Sequence, residues 1–281
     1  MKQLLTCLLL ASTVSAAIPP VSTYDSDARA WAKNKIPSVT NTVSDLDYAV
    51  TTELLNFMKT RGLRSKVKRM QLYAPSCGLQ SMRYPVIADT GPVGVTDSDN
   101  IQNFVEGDYT TTGLTGNGSS KLISTSLKLG SFGSVYNLHF GVYNRTSGTI
   151  SGVEIGNGEG SSIAQIAVNY TGAGTIWQSC AASYVLVTES SGVGCYMGSV
   201  TASDFAGIYK NGGLWGSFTN PGCALPDWSV FVYARNYSGV TDQYSSRQLC
   251  FYTIGLAINP DMTLYYYRAV QFAQRRWSRA L

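Results

Sequence analysis

The chain has 281 residues, which is enough for one large β domain or two modest ones. Only 14% of the residues are charged, and glycine and tyrosine are abundant, a balance that suits an extracellular or virion β protein and argues against a helical cytosolic enzyme. The formal net charge of +4 is too small to indicate a nucleic-acid partner.

Residues 1–17 have the pattern of a secretory signal peptide. Lys2 precedes a short apolar run at residues 4–11, and residues 14–16, Val-Ser-Ala, supply the small side chains that signal peptidase requires. The run is too short to cross a bilayer, so no stable membrane anchor is expected. We predict export to the extracellular space. The alternative is an uncleaved apolar N-terminus that serves as an assembly arm of a virion protein.

Loss of the signal peptide would remove Cys7 and leave five cysteines. These are the disulfide candidates, with their pairing left open: Cys77, Cys180, Cys195, Cys223 and Cys250. An odd number in an exported protein allows two disulfides and one free or intermolecular thiol. A metal site is a poor alternative, because the chain has no C-x-x-C pair and one histidine, His139, in a strand-like run. We expect His139 to be an ordinary sheet residue.

Residues 18–102 are expected to form a helical and irregular region. A helix is predicted between Ser44, whose hydroxyl can cap free N–H groups, and Gly62, which is placed to end it. Its apolar stripe consists of Leu46, Val50, Leu54, Phe57 and Met58. A basic cluster follows, formed by Lys59, Arg61, Arg64, Lys66, Lys68 and Arg69. These cations could contact phosphates, but a solvated helix end is the simpler interpretation, so no nucleic-acid partner is predicted.

Residues 103–258 change to many short strands separated by Gly and Ser turns. Strands are predicted at residues 122–129, 136–143, 152–155, 162–169, 184–188, 195–199, 228–234 and 247–254. The pattern contains no alternation of strands with helices. We therefore predict a mainly β fold in which two antiparallel sheets form a sandwich.

The strongest turn signal in this region is Asn211-Gly212, which is typical of a type I′ hairpin. A two-residue loop pairs Tyr209 with Leu214 and Ile208 with Trp215. Because side chains alternate across a strand, Ile208 and Trp215 would point outward. The core face of the hairpin would then carry Phe205, Tyr209, Leu214 and Phe218.

Residues 259–281 are predicted to form an amphipathic C-terminal helix. Asn259 suits the N-cap and Pro260 suits the first helical position. The apolar stripe consists of Met262, Tyr266, Ala269, Val270, Ala273 and Trp277. We expect this stripe to dock on the sandwich or to pack against the first helix.

Four segments resemble a known domain family. Residues 109–127 contain Gly-Leu-x-Gly-x-Gly-Ser before a strand, residues 209–212 are Tyr-Lys-Asn-Gly, and residues 234–236 and 247–255 close the domain. Their order resembles the concanavalin A-like and laminin-G-like jelly rolls of bacteriophage structural proteins and bacterial exported proteins. The resemblance extends from about residue 103 to the C-terminus and implies a two-sheet sandwich that presents loops or a concave face to glycans or protein partners. Some relatives bind calcium at the rim, but no Asp-rich loop here resembles that ligand set, so no cofactor is predicted.

A glycosidase of this fold would place two carboxylates on alternate residues of one strand. The alternate acidic pairs in the chain all precede the predicted sandwich strands: Asp25 and Asp27, Asp45 and Asp47, Asp97 and Asp99, Glu106 and Asp108. The single histidine also gives no nucleophile triad. We therefore expect no catalytic residues and no enzymatic activity.

Two functions fit these observations. The first is a non-enzymatic, lectin-like carbohydrate-binding or adhesion protein, exported or on a virion surface, whose exposed aromatic residues contact glycans or cell-surface proteins. The expected ligand contacts are Trp215, Ile208, Trp177 and Trp228. The alternative is a structural virion protein, of a phage tail or capsid decoration, that acts by subunit packing and oligomerises. Four N-x-S/T triplets, at Asn117, Asn144, Asn169 and Asn236, are interpreted as surface turns.

Overall fold

The computed structural model describes residues 25–32, 43–89, 98–179, 183–219 and 224–279. The expected signal peptide at residues 1–17 lies outside the described residues, as do Cys180 and Cys223. In the ranges that are described, no helix is both long and apolar enough to cross a membrane.

Two nine-stranded sheets stack face to face. Strands are numbered in chain order. Sheet I runs β14 (Gly213–Phe218), β13 (Phe205–Lys210), β12 (Gly194–Ala202), β7 (Leu138–Asn144), β18 (Gln248–Gly255), β1 (Val67–Leu72) and β2 (Ile87–Ala88), with β5 (Gly113–Thr115) and β4 (Tyr109–Thr110) beside β18. Sheet II runs β11 (Tyr184–Val187), β10 (Gly174–Ser179), β9 (Ser162–Tyr170), β8 (Ile155–Glu159), β15 (Ser229–Val232), β6 (Leu122–Lys128) and β3 (Asn100–Gln102), with β16 (Arg235–Tyr237) beside β8 and β17 (Val240–Asp242) beside β16.

The two-sheet sandwich implied by the jelly-roll resemblance is confirmed by this strand order. Neighbouring strands pair antiparallel, with one exception among the described strands: β16 runs parallel to β8. In both sheets, every second side chain of a strand points into the core between the sheets. Trp177 of β10 packs edge-on against Phe140 of β7, with ring centroids 5.9 Å apart. Gly198 of β12 leaves room for the Trp177 ring, which a Cβ at that position would overlap.

Helices cover the outer face of sheet I. The described helices are α1 (Ser26–Ala30), α2 (Asp45–Thr60) and α3 (Pro260–Arg276). The Tyr266 hydroxyl of α3 lies 2.6 Å from the hydroxyl of Thr253 in β18, and the Tyr143 hydroxyl of β7 donates to Gln271 at 3.0 Å. Helix α3 also packs against α2. The predicted docking of the C-terminal stripe is therefore confirmed.

The predicted ends of α2 are also observed. The Ser44 hydroxyl accepts a hydrogen bond from the Asp47 amide at 3.1 Å. Gly62 follows the helix with φ +68°, a conformation that glycine adopts without strain. Val50, Leu54 and Met58 are buried as expected, whereas Leu46 is exposed at the first turn.

Strand β1 lies inside the region that was expected to be helical and irregular. It pairs with β18 on one side and β2 on the other, so this region contributes to sheet I. The fully buried Arg69 forms an ion pair with the fully buried Asp99, with the Nε–Oδ1 distance at 3.0 Å. Gln71 is buried too. The sequence did not predict this strand because its buried polar residues interrupt the apolar alternation that is typical of a strand.

Other members of the basic cluster also have acidic partners. Lys59 Nζ lies 2.7 Å from the Asp25 carboxylate, and Arg64 Nε lies 2.9 Å from that of Asp27. These pairs join α1 to the end of α2 and the residues after it. Arg61 stacks on the ring of Tyr265 at 4.5 Å. These members of the cluster thus make specific contacts within the fold, and Arg69 in particular does not belong to a solvated helix end.

Three of the five disulfide candidates are free, buried thiols: Cys77, Cys195 and Cys250. Burial raises the pKa of Cys77 to about 12 and that of Cys250 to about 11. Thiols that stay protonated at neutral pH are poor nucleophiles and poor metal ligands. In the described ranges, no group of three or more His, Cys, Asp or Glu side chains is arranged to hold a metal ion.

Three of the four N-x-S/T triplets are not surface turns. Asn144, Asn169 and Asn236 are buried, and their amide groups donate to backbone carbonyls. Asn117 is exposed, and its Oδ1 accepts from the amides of Ser119 and Ser120. The triplet pattern does not distinguish a buried structural asparagine from an exposed one, because both favour the same turns.

His139 lies in β7, as the sequence predicts, and is fully buried there. Its Nδ1 donates to the Leu256 carbonyl at 2.6 Å, and its Nε2 lies 3.2 Å from the Thr253 hydroxyl. Burial lowers the pKa of His139 from 6.5 to about 4. The folded state therefore resists protonation more than the unfolded state does. The contribution of neutral His139 to the free energy of unfolding is therefore fully present above the pKa of the unfolded state, 6.5. It is lost as the pH falls through the pKa of the folded state, about 4.

We predict that His139 does not titrate between about pH 8 and pH 5 in the folded protein. Because it is the only histidine in the chain, its imidazole C–H resonance in NMR reports this without ambiguity, and the urea-unfolded chain, which should titrate near pH 6.5, is the control. A folded-state midpoint near 6.5 would contradict the burial argument.

We also predict that Trp177→Ala lowers the free energy of unfolding by about 3–5 kcal/mol, because it leaves a cavity between the two sheets. Trp228→Ala is the matched control, and its loss should be about 1 kcal/mol because that ring is partly exposed. Urea unfolding followed by circular dichroism measures both. Equal losses in the two variants would contradict the placement of Trp177 at the centre of the core.

Candidate functional site

The β13–β14 hairpin turns at Asn211 and Gly212, whose φ values are +52° and +83°. Both values fit the predicted type I′ turn. The turn is held against α3, because the Thr263 hydroxyl donates to the Gly212 carbonyl at 2.9 Å. Tyr209 pairs with Leu214, as expected.

Beyond this pair, a β-bulge shifts the register by one residue. Ile208 pairs with Gly216 instead of Trp215, so Trp215 is the additional residue on β14. Gly216 is required here because a Cβ would come within 2.8 Å of Val185 and Val187 of β11. The expected pairing of Ile208 with Trp215 is therefore wrong. The sequence contains Gly216, but glycine alone does not specify a bulge.

The face of the hairpin that points between the sheets is the opposite of the expected one. Ile208 is fully buried between the sheets, although it was expected on the outer face. Leu214, expected in the core, is 56% exposed. Trp177 is fully buried as well, so neither Ile208 nor Trp177 can contact a ligand in this fold. Trp228 is 37% exposed, but its ring lies over Gly239 at the β16–β17 turn. The four expected contacts are thus not brought together.

Trp215 lines a cleft of about 640 Å³ at the edge of the sandwich. The other walls come from Asn169 of β9, Lys210 of β13 and several loop residues. The sequence did not indicate these loops, since their short polar residues are ordinary turn residues. The cleft is lined by Thr149, Asn169, Gly172, Thr188, Glu189, Ser190, Ser191, Lys210 and Trp215. The lining combines one aromatic ring, hydroxyl groups, one amide, one cation and one carboxylate.

The charged pair in the cleft is held by aromatic residues. Lys210 Nζ forms an ion pair with Glu189 and lies 5.0 Å from the centre of the Trp215 ring and 5.4 Å from that of Tyr196. A cation over two rings gains electrostatic attraction from both. This contact keeps the Trp215 ring on the cleft wall.

The Glu189 carboxylate is also fixed by neutral donors. The hydroxyl of Tyr196 donates to it at 2.7 Å and that of Thr175 at 2.9 Å. Burial on its own raises the pKa of Glu189, but the hydrogen bonds from Lys210, Tyr196 and Thr175 outweigh burial and hold the pKa below its ordinary value. The group is therefore an anchored anion at neutral pH.

Two buried asparagines connect the loops around the cleft. The Asn169 amide donates to the carbonyls of Gly148 and Ser190 at 3.1 and 3.2 Å. The Asn144 amide donates to the carbonyls of Thr146 and Gly192. Each side chain therefore joins the loop after β7 to the loop before β12. The joined loops present Thr149, Ser190 and Ser191 to the cleft.

A buried ion pair supports the same loops from below. Arg247 Nε donates to Glu154 Oε1 at 3.1 Å, and both side chains are fully buried. The remaining guanidinium donors bind the carbonyls of Thr146, Gly148 and Val168 at 2.8, 2.9 and 2.6 Å. Burial raises the pKa of Glu154 to about 7, against the effect of Arg247. Arg247 thus holds the backbone next to two of the cleft residues, Thr149 and Asn169.

No protein-family model matches the chain, and no curated protein matches its sequence. Among solved structures, the chain is similar to the receptor-binding domain of botulinum neurotoxin C/D mosaic serotype, with 13% identity, 73% of this chain and 51% of that chain covered, and a TM-score of 0.46. It is also similar to domain 4 of an extracellular arabinanase from Geobacillus stearothermophilus, in complex with arabinotriose. The identity is 14%, the match covers 71% of this chain and 97% of that chain, and the TM-score is 0.45.

A third likeness is to a mutant Trypanosoma rangeli sialidase that displays trans-sialidase activity, with 11% identity, 80% of this chain and 39% of that chain covered, and a TM-score of 0.46. The chain spans about half the length of the toxin domain and about two fifths of the sialidase. At these identities and at TM-scores below 0.5, none of the three indicates what this chain binds. The sandwich itself is established by the pairing of its strands.

Proposed function

We propose that the protein is a non-enzymatic, lectin-like protein that binds a carbohydrate in the cleft beside Trp215. The observation that carries this proposal is the position of the half-buried Trp215 ring among polar loop residues. Sugars present apolar C–H faces that stack on aromatic rings, together with hydroxyl groups that need donors and acceptors at the rim. The cleft supplies both kinds of contact. Its volume lies in the range of about 300–1,000 Å³ that small-molecule sites occupy.

The polar groups of the cleft are already oriented. Asn169 is held by two carbonyls and Glu189 by three side chains. A site whose groups are fixed before binding loses less conformational entropy when the ligand arrives. The loop hydroxyls of Thr149, Thr188 and Ser190 can rotate to donate to or accept from a sugar hydroxyl.

The charges favour binding over hydrolysis. Glu189 is the one carboxylate among the described residues that line the cleft. A general acid needs a raised pKa to be protonated at neutral pH, and the pKa of Glu189 is lowered. Glycoside hydrolysis also requires a second carboxylate at a defined separation. We propose that the protein works outside the cell or on a virion surface, where it recognises glycans.

We predict that the purified protein binds at least one class of glycan on an array and that Trp215→Ala weakens binding at least tenfold, because the stacking surface is lost. The fold should be unchanged, since Trp215 is an added residue of a bulge near the surface. Circular dichroism and the thermal midpoint check this point.

Trp228→Ala is the matched control, because this partly exposed tryptophan lies outside the lining of the cleft. It should bind as the unmodified protein does. Absence of binding to every glycan, or equal binding by Trp215→Ala, would exclude the proposed function.

A second function, assembly by subunit packing, is favoured by one observation. An apolar groove of about 450 Å³ runs between α2 and α3 and is lined by Glu53, Phe57, Arg268, Ala269 and Phe272. Phe272 is exposed. A surface of this kind suits contact between protein subunits.

Assembly through the groove predicts an oligomer that Phe272→Glu dissociates, because a carboxylate would be buried in the contact. Light scattering coupled to size exclusion measures the mass of both proteins. Leu214→Glu, which charges an exposed leucine elsewhere, is the control and should not alter the mass. A monomer at all concentrations would rule out this second function.

A further inference from the structure

A second group of charged residues lies beneath the last turn of α3 and is not part of the lining of the carbohydrate cleft. Arg279 follows this helix and is only 2% exposed. Its Nε donates to the Gln274 side-chain oxygen at 2.6 Å, and Nη1 donates to the Tyr73 carbonyl. The Trp277 ring stacks on the guanidinium, with 4.4 Å between Cζ and the ring centre. These contacts hold the guanidinium in one place and orientation.

Arg145 reaches the same region from sheet I. Helix α3 runs along β7, with the Tyr266 hydroxyl beside Gly141 and Gln271 bonded to Tyr143. Two residues of a strand and about four of a helix cover similar lengths, roughly 6–7 Å. Arg145 lies on the same face as Tyr143, two residues further on. It is therefore placed beneath the last turn of α3, where Gln274 lies.

The buried polar atoms of this group that lack a hydrogen-bond partner are all donors. They are Arg279 Nη2, Arg145 Nη1, Gln274 Nε2 and Trp277 Nε1. Gln274 Nε2 belongs to the same amide whose oxygen accepts from Arg279, so these two unpartnered donors are close neighbours. Buried donors without acceptors are rare in proteins because each one loses its hydrogen bonds to water.

The two arginines of the group also lack a direct ion-pair partner among the described residues. Among the described residues, neither Arg145 nor Arg279 forms an ion pair with a carboxylate. Asp47 acts on Arg279 only from a distance, and its carboxylate accepts from the amide of Ser76 at 2.9 Å. Burial lowers the pKa of Arg279, and the charge of Arg145 adds to this effect. A buried cation is normally matched by an anion.

We propose that Arg279, Arg145 and Gln274 form a binding site for a small oxyanion, of the phosphate or carboxylate class. Such an ion offers several acceptor oxygens, and it brings negative charge to the two guanidinium groups. The planar fork of a guanidinium suits two oxygens of one oxyanion. Water would satisfy the donors but would leave both guanidinium groups without a paired anion. The partial exposure of Arg145 gives the ion a way in.

Isothermal titration calorimetry with sodium phosphate, and separately with sodium acetate, tests the site at constant ionic strength. We expect saturable binding at one site per chain. At a hundredfold excess over Kd, the ion should also raise the thermal midpoint by about 5 °C relative to chloride. Comparison of the Kd values for phosphate and acetate shows whether the site prefers a tetrahedral or a planar oxyanion.

Arg279→Gln and Arg145→Gln should each weaken binding at least tenfold. Arg275→Gln is the matched control, because it removes an exposed arginine from the same end of α3 and should bind as the unmodified protein does. If Arg279→Gln does not fold, the partly exposed Arg145 still provides the test. No saturable binding by the unmodified protein, or equal binding by the Arg145 and Arg275 variants, would overturn the proposal.

Discussion

The ion pair between Glu154 and Arg247 joins the two sheets at one end of the sandwich. Glu154 directly precedes β8 of sheet II, and Arg247 directly precedes β18 of sheet I. Burying both charges is costly, and their attraction offsets that cost only when the remaining donors and acceptors are satisfied. Here the carboxylate also accepts from the Val168 amide and the Ser245 hydroxyl, and the guanidinium reaches three carbonyls. The arrangement therefore specifies one position for each loop around it.

This constraint explains how a cleft can be made from glycine-rich and serine-rich loops. Loops of such residues are usually mobile, because few side chains pack against them. In this protein the loops are bonded to buried side chains beneath them, and the aromatic wall is bonded through Lys210 to the carboxylate of Glu189. The cleft is thus supported by polar contacts on one side and by the sandwich core on the other. The proposed carbohydrate site depends on that rigidity.

The sequence predicted the parts of the fold that local patterns determine. Most of the long sandwich strands, the capping of α2 by Ser44, the turn at Asn211 and the stripe of α3 follow from short-range periodicity or turn chemistry. The sequence did not predict β10, and the strand expected at residues 152–155 is β8, Ile155–Glu159. It did not predict the bulge at Trp215, because Gly216 is needed only against Val185 and Val187 of a distant strand. It also missed β1, whose buried Arg69 depends on Asp99. Of the expected site residues, only Trp215 reaches the cleft; except for Lys210 of the same hairpin, its neighbours there are distant in the chain.

The burial of Asn169 bears on how the chain can be produced. In the eukaryotic secretory pathway, oligosaccharide is attached to Asn-x-Ser/Thr triplets, and residues 169–171 form such a triplet. A sugar on this amide nitrogen would occupy the atom that bonds the carbonyls of Gly148 and Ser190. A chain modified there before folding could not close its loops. The folded architecture therefore requires that the Asn169 amide remain unmodified.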